Sequence, residues 1–173
     1  MSLLASSHEK QIAHWRQAWP KALAHWSKYT RLHDPMLCET KVEAAKEGLS
    51  GSFAMIRLAD KSIVIDLETV RELALDDFAV EILAHEIGHH ILAPATSIDH
   101  FRLLARIRAG LPTLESHAPM IANLFTDLLI NDRLQRQEGL EIDGVYAKIH
   151  ARQTESDTTT GKLWVLYLSL IHI

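Results

Sequence analysis

Cysteine is almost missing from this chain: Cys38 is the only one among 173 residues. No disulfide can form within the chain and no cysteine-rich zinc cluster can be built, which makes a reducing compartment the expectation. There is also no basic block. Eighteen Lys and Arg and 22 Asp and Glu are scattered along the sequence for a formal net charge of -4, with pI near 6.2. Such a balance offers no track for a phosphate backbone, so nucleic acid is not an expected partner. The start, MSLLASSHEKQIAHW, turns polar after Ala5 and lacks the long apolar run of a secretory signal. The most apolar stretch, Leu163 to Ile173 (LWVLYLSLIHI), is about half the length a membrane-spanning helix needs. A cytoplasmic protein with no membrane partner follows as the expectation. Because the sequence stops inside this run without a polar cap, glycine or charge, a truncated C-terminus is expected as well. No internal repeat or low-complexity tract occurs.

What is present is a 47% hydrophobic composition over a length suited to one domain, residues 1–173. It divides into N-terminal helices (1–48), a central core (50–138) and a C-terminal segment (139–173). Ile12, Trp15, Trp19, Leu23 and Trp26 recur at helical intervals between Glu9 and Tyr29, and Pro20 predicts a kink or two abutting helices. The three tryptophans read as core or as a docking face. Residues 32–35 read as a break and 39–47 as a short charged helix stopped by Gly48. FAMIRL and SIVIDL, joined through Ala59-Asp60-Lys61, predict an antiparallel hairpin with strands at 53–58 and 63–67. A helix capped by Asp76 or Asp77 should run to Pro94, another should cover 97–109, and a long one should run from Pro119 to Glu138 with Gly139 as its stop. Residues 153–162 (QTESDTTTGK) read as a polar loop.

The third of these helical stretches holds the chemistry. His85-Glu86-Ile87-Gly88-His89 puts two imidazoles four residues apart on one helix face, with a glutamate beside them. That arrangement can hold a zinc ion, leave a coordination position for water, and supply a carboxylate to take the water's proton. In a chain with 11 His, the pattern arises by chance roughly 0.05 times, so its setting matters. Val80, Ile82, Leu83, Ile87, Ile91 and Leu92 make the helix apolar nearly all round, and buried histidines and glutamate there need a compensating partner. A metal is one. Gly88 costs helix stability and suggests room for a neighbouring backbone near the metal.

LAHEIGHHI, following a hairpin and preceding a helix that bears an acid, resembles the zincin metallopeptidases, and more narrowly their compact gluzincin-type domains. In that family the second helix supplies a carboxylate within a pattern of Asn-Glu, two or three variable residues and Asp. Aligned on Asp127, the glutamate's place here is held by Asn123, a departure. The helix IANLFTDLLIND is also similar to that of bacterial metallopeptidase-like proteins encoded with von Willebrand A-type and AAA-type ATPase partners. Asn123, Asp127, Ile130 and Asn131 match the pattern there. The resemblance covers residues 50–135. It implies an α+β, zincin-like fold, a small antiparallel or mixed sheet packed on the HExxH helix with further helices, and a possible ATPase or von Willebrand A-type partner.

Asn123, Asp127 and Asn131 recur every four residues, lining one face of an otherwise apolar helix. The anionic oxygen of Asp127 is the better third ligand, Asn123 the runner-up, and Asn131 a candidate to orient a histidine from behind. A simple ion pair of Asp127 with Arg133 is the alternative without metal. Tyr146 and His150 are candidates for donating to a developing oxyanion, against ordinary placement. His90 points away from the His85–His89 face. His100 does not fit the metzincin spacing, since Leu92 and Ala95 stand where Gly and His are needed, and the deformylase reading of 47–50 fails for want of a cysteine ligand. The expected function is therefore zinc-dependent hydrolysis of a peptide or protein substrate, with His85, His89 and Asp127 on Zn²⁺, Glu86 as base, and one hairpin strand pairing with the substrate through its edge. The rival is a non-proteolytic metal-binding scaffold within an ATPase-linked assembly. A di-iron bundle is excluded because the chain has no second ExxH pair.

Overall fold

The computed structural model describes residues 2–27 and 29–154, and side chains from residue 7 to residue 152 within them. It is α+β: seven helices, α1 (Ser2–Ala24), α2 (Lys41–Lys46), α3 (Leu67–Glu72), α4 (Ala79–Ile91), α5 (Ser97–Gly110), α6 (Ala118–Arg136) and α7 (Ile142–Thr154), and three strands, β1 (Met36–Cys38), β2 (Ala54–Arg57) and β3 (Ser62–Asp66), among the described residues. No helix among them is long and apolar enough to cross a membrane. The expected polar loop at 153–162, except for the two residues that close α7, and the apolar run from Leu163 onward lie outside the described residues.

The sheet order is β1-β3-β2, with β1 parallel and β2 antiparallel to β3. β3 is central and covered on both faces, and Ile63, Val64 and Ile65 in its middle are all apolar for that reason. Alternate side chains serve two different cores. Ile63 and Ile65 join the main cluster with α1 and α4, whereas Val64 packs on the other face with Cys38, Ala44 and Leu49. The centrality of β3 also narrows the expectation that one hairpin strand pairs with substrate through its edge: of these two strands, only β2 keeps an unpaired edge among the described residues. Phe53 O accepts from Asp66 N at 2.8 Å and Arg57 O from Lys61 N at 2.7 Å. The alternate residues Ala54 and Ile56 therefore turn their backbone groups outward.

The main core takes Trp15 and Trp19 from α1, Trp26 from the turn after it, and Ile142, Val145 and Ile149 from α7, packed around Leu83 and Ile87 of α4 and Ile130 of α6. Pro20 lies inside one continuous helix, so of a kink and two abutting helices the second is not found. Losing one amide donor is tolerated where Ala18, Trp19 and Ala22 around it are buried against the core. Asp76 does not cap α4. Its Oδ1 instead accepts from Gln11 Nε2 at 2.7 Å and Trp15 Nε1 at 3.1 Å, residues 76–78 form a 3₁₀ turn, and α4 starts at Ala79 without a side-chain cap.

Candidate metal centre

α4 and α6 approach each other closely because Gly88 carries no side chain. A Cβ there would stand 2.6 Å from Ile130 Cγ2 and 2.7 Å from Trp26 Cζ2. The expectation of a neighbouring backbone at Gly88 is thus replaced by two neighbouring side chains. Trp26 is fixed in this contact by Nε1 donating to the Ala84 carbonyl at 2.7 Å.

His85 and His89 stand edge to face, ring centroids 4.9 Å apart. Asp127, on the facing helix, directs Oδ1 towards both Nε2 atoms, at 3.6 Å from His85 and 3.3 Å from His89. A tetrahedral shell with bonds of about 2.1 Å has edges of about 3.4 Å, so these spacings are those of ligands around one ion. The three side chains form a group that could hold a metal. Their outer atoms are already committed. His85 Nδ1 meets Asn131 Oδ1 at 2.8 Å and His89 Nδ1 meets the Ala93 carbonyl at 3.1 Å. Ala93 O can only accept, so His89 Nδ1 carries a proton and Nε2 is the nitrogen turned towards Asp127. Asn131 also donates through Nδ2 to the Tyr146 hydroxyl at 3.1 Å.

Asn123 lies behind Asp127, its Nδ2 donating to Oδ2 at 2.9 Å, which leaves Oδ1 for the histidines. That Oδ1 is buried and without a hydrogen-bond partner, and a cation between the three atoms satisfies it. Arg133 takes no part: it stacks over Trp26, 4.8 Å from the ring, and lies 3.8 Å from Glu138.

Burial opposes ionisation of Asp127, yet the facing imidazoles outweigh it and hold the carboxyl at about 2. Burial likewise pushes His85 down, and Asp127 more than reverses this, raising it to about 9. Glu86, only 7% exposed, is raised mainly by burial, with the two histidines and the Ile56 amide opposing. A raised, buried carboxyl beside two imidazoles is suited to exchanging protons.

The group opens into a cavity of about 470 Å³. Ser52 to Ile56 and Leu58 form one wall, Glu81 and Ile82 extend the α4 side, and α7 contributes Ile142, Val145, Tyr146 and Ile149. Tyr146 reaches the cavity; His150, one turn further along α7, is not among its lining residues. His100 and Pro94 lie at the lining and His90 does not, its buried Nδ1 having no partner. Sequence reasoning missed Glu81 and the α7 wall, although Ile142, Val145, Tyr146 and Ile149 follow a helical period that was there to be read. Compared with known proteins, the chain matches no family model, no curated protein and no solved structure.

Proposed function

We propose that this chain is a zincin-like, zinc-dependent metallopeptidase domain that hydrolyses peptide bonds. The observation that carries the reading is the unpartnered, buried Asp127 Oδ1 facing two histidine Nε2 atoms at the floor of an open cavity, with Glu86 next to them. His85, His89 and Asp127 would hold the ion. Zinc bound by three protein ligands supplies a Lewis acid and lowers the pKa of water at the remaining position. Glu86 takes the proton of the attacking water and returns it to the leaving amine, a duty its raised pKa suits. The outward backbone groups of Ala54 and the outward carbonyl of Ile56 offer an extended substrate a strand to pair with.

The rival scaffold reading calls for a closed shell. Only three candidate ligands converge among the described residues, which favours the enzyme. An ATPase or von Willebrand A-type partner and a cytoplasmic location remain part of the proposal, supported by the resemblance and by the single cysteine. The test is Glu86→Gln: it should retain zinc by elemental analysis while cleavage of an unfolded protein falls on the order of 10²- to 10⁴-fold. Cleavage at the wild-type rate would remove Glu86 from the chemistry.

A further inference from the structure

Glu81 has no duty in the reaction just described, yet it lines the same cavity. It stands four residues before His85 and eight before His89, so the three share one stripe of α4. One helical turn, about 6 Å of axial rise, separates Glu81 from the first metal-binding histidine. Its carboxylate is half-buried and has no hydrogen bond or ion pair among the described residues. Among the described residues, no lysine or arginine lines the cavity to neutralise it. The nearby Lys148 is held outside, its Nζ donating to the Ala74 carbonyl at 3.0 Å and lying 3.8 Å from Asp77. The lining of the same cavity includes apolar side chains of both helices, Ile82 of α4 and Val145 and Ile149 of α7, each less than a tenth exposed.

A cavity that combines apolar walls with an unpaired carboxylate fits a side chain with a long aliphatic stem and a cationic tip. We infer that this is a specificity pocket, and that the domain cleaves polypeptides next to lysine or arginine. The inference rests on the peptidase reading and deepens it. The stem packs on Ile82, Val145 and Ile149, the cation meets Glu81, and the adjoining carbonyl lies at the His85–His89–Asp127 floor. Acidic side chains are rejected, because Glu81 repels them and the lining offers no cation in exchange. A substrate's terminal carboxylate finds no partner either, so the pocket serves cleavage within a chain.

The test uses the zinc-loaded full chain and a set of otherwise identical extended peptides bearing Lys, Arg, Leu or Glu beside the scissile bond. The expected order of kcat/KM is Lys and Arg above Leu, and Leu above Glu. Glu81→Gln, which keeps shape and helix propensity, should lower the Lys-to-Leu ratio on the order of ten- to a hundredfold, the range for losing a hydrogen bond to a charged group. Glu81→Lys should favour the Glu peptide over the Lys peptide. A wild-type Lys-to-Leu ratio at or below one, or a ratio unmoved by Glu81→Gln, overturns the pocket while leaving the peptidase reading standing. No cleavage of any peptide by zinc-loaded protein overturns both.

Discussion

Metal uptake by this site must expel a proton, and the number expelled can be read from the residues. Without metal, Asp127 holds the His85 proton up to about 9 while its own carboxyl stays ionised down to about 2. At pH 7, His85 is therefore the group that has to lose a proton before its Nε2 can ligate. Two pH units below its pKa, that displacement opposes binding by about 2.7 kcal/mol. The apparent affinity for zinc should accordingly rise about tenfold per pH unit between pH 7 and 8.5 and flatten near 9. Calorimetric titration of metal-free protein at pH 7, in buffers of different ionisation enthalpy, should give a slope of about one proton released per ion. In Asp127→Asn the anion is gone, burial lowers His85, and the released proton should disappear together with most of the affinity. A wild-type protein that binds zinc with no proton release and a flat pH profile would show that His85 is neutral in the metal-free state, and the electrostatic account of the site would fail.

The same two groups set a pH window for the metal-free fold. Asp127 is depressed from 3.8 to about 2, so its contribution is present above 3.8 and is lost as pH falls through about 2; His85 is raised from 6.5 to about 9, so its contribution is complete below 6.5 and is lost as pH rises through about 9. Thermal scans should thus show this contribution greatest between those unfolded-state values and declining towards pH 9, and saturating zinc should abolish the alkaline decline. Asn131→Leu should remove the partner of His85 Nδ1 and weaken zinc on the order of 10- to 100-fold, measured by competition with a chromophoric chelator; unchanged affinity would reduce Asn131 to a packing residue. Gly88→Ala should gain about 1 kcal/mol of helix propensity and lose about 1–3 kcal/mol to overpacking against Ile130 and Trp26. Its clearer readout is weaker zinc binding, because Ile130 and Asp127 share α6; wild-type affinity would mean that the helices absorb the methyl without moving.

The parts of the fold written in local periodicity were legible. The HExxH helix, the hairpin through Ala59-Asp60-Lys61 and the helix carrying Asp127 all stand where residue spacing puts them. What the sequence hid depends on distant partners. β1 has three residues, and its pairing of Met36 with Val64 joins segments almost thirty positions apart. α3 is six residues long, starting from an Asp66 cap that reads equally well as a strand end. Asp76 looked like a cap because acids before an apolar run usually are, but the Trp15 indole needed a buried acceptor more than α4 needed a capped end. Within the site, the Asn123, Asp127, Asn131 stripe was visible as period-four polarity. The division of labour along it was not, because it depends on which atom each side chain turns to its neighbour.

That division argues against a hydrogen-bonded cluster kept only for the core. A buried polar network stabilises when every member is paired, and each unpaired atom costs about 1–3 kcal/mol. Here the pairing is nearly complete around the outside: Asn123 takes one Asp127 oxygen, Asn131 and the Ala93 carbonyl take the two Nδ1 atoms, and Tyr146 takes the remaining Asn131 donor. The inner atoms are left facing one another at 3.3 and 3.6 Å, with Oδ1 unpartnered. Drawing α6 closer would pair them directly, but Ile130 already lies against Gly88 and blocks further approach. The packing that brings the helices together therefore also keeps the three ligand atoms apart, at the separation a small cation fills.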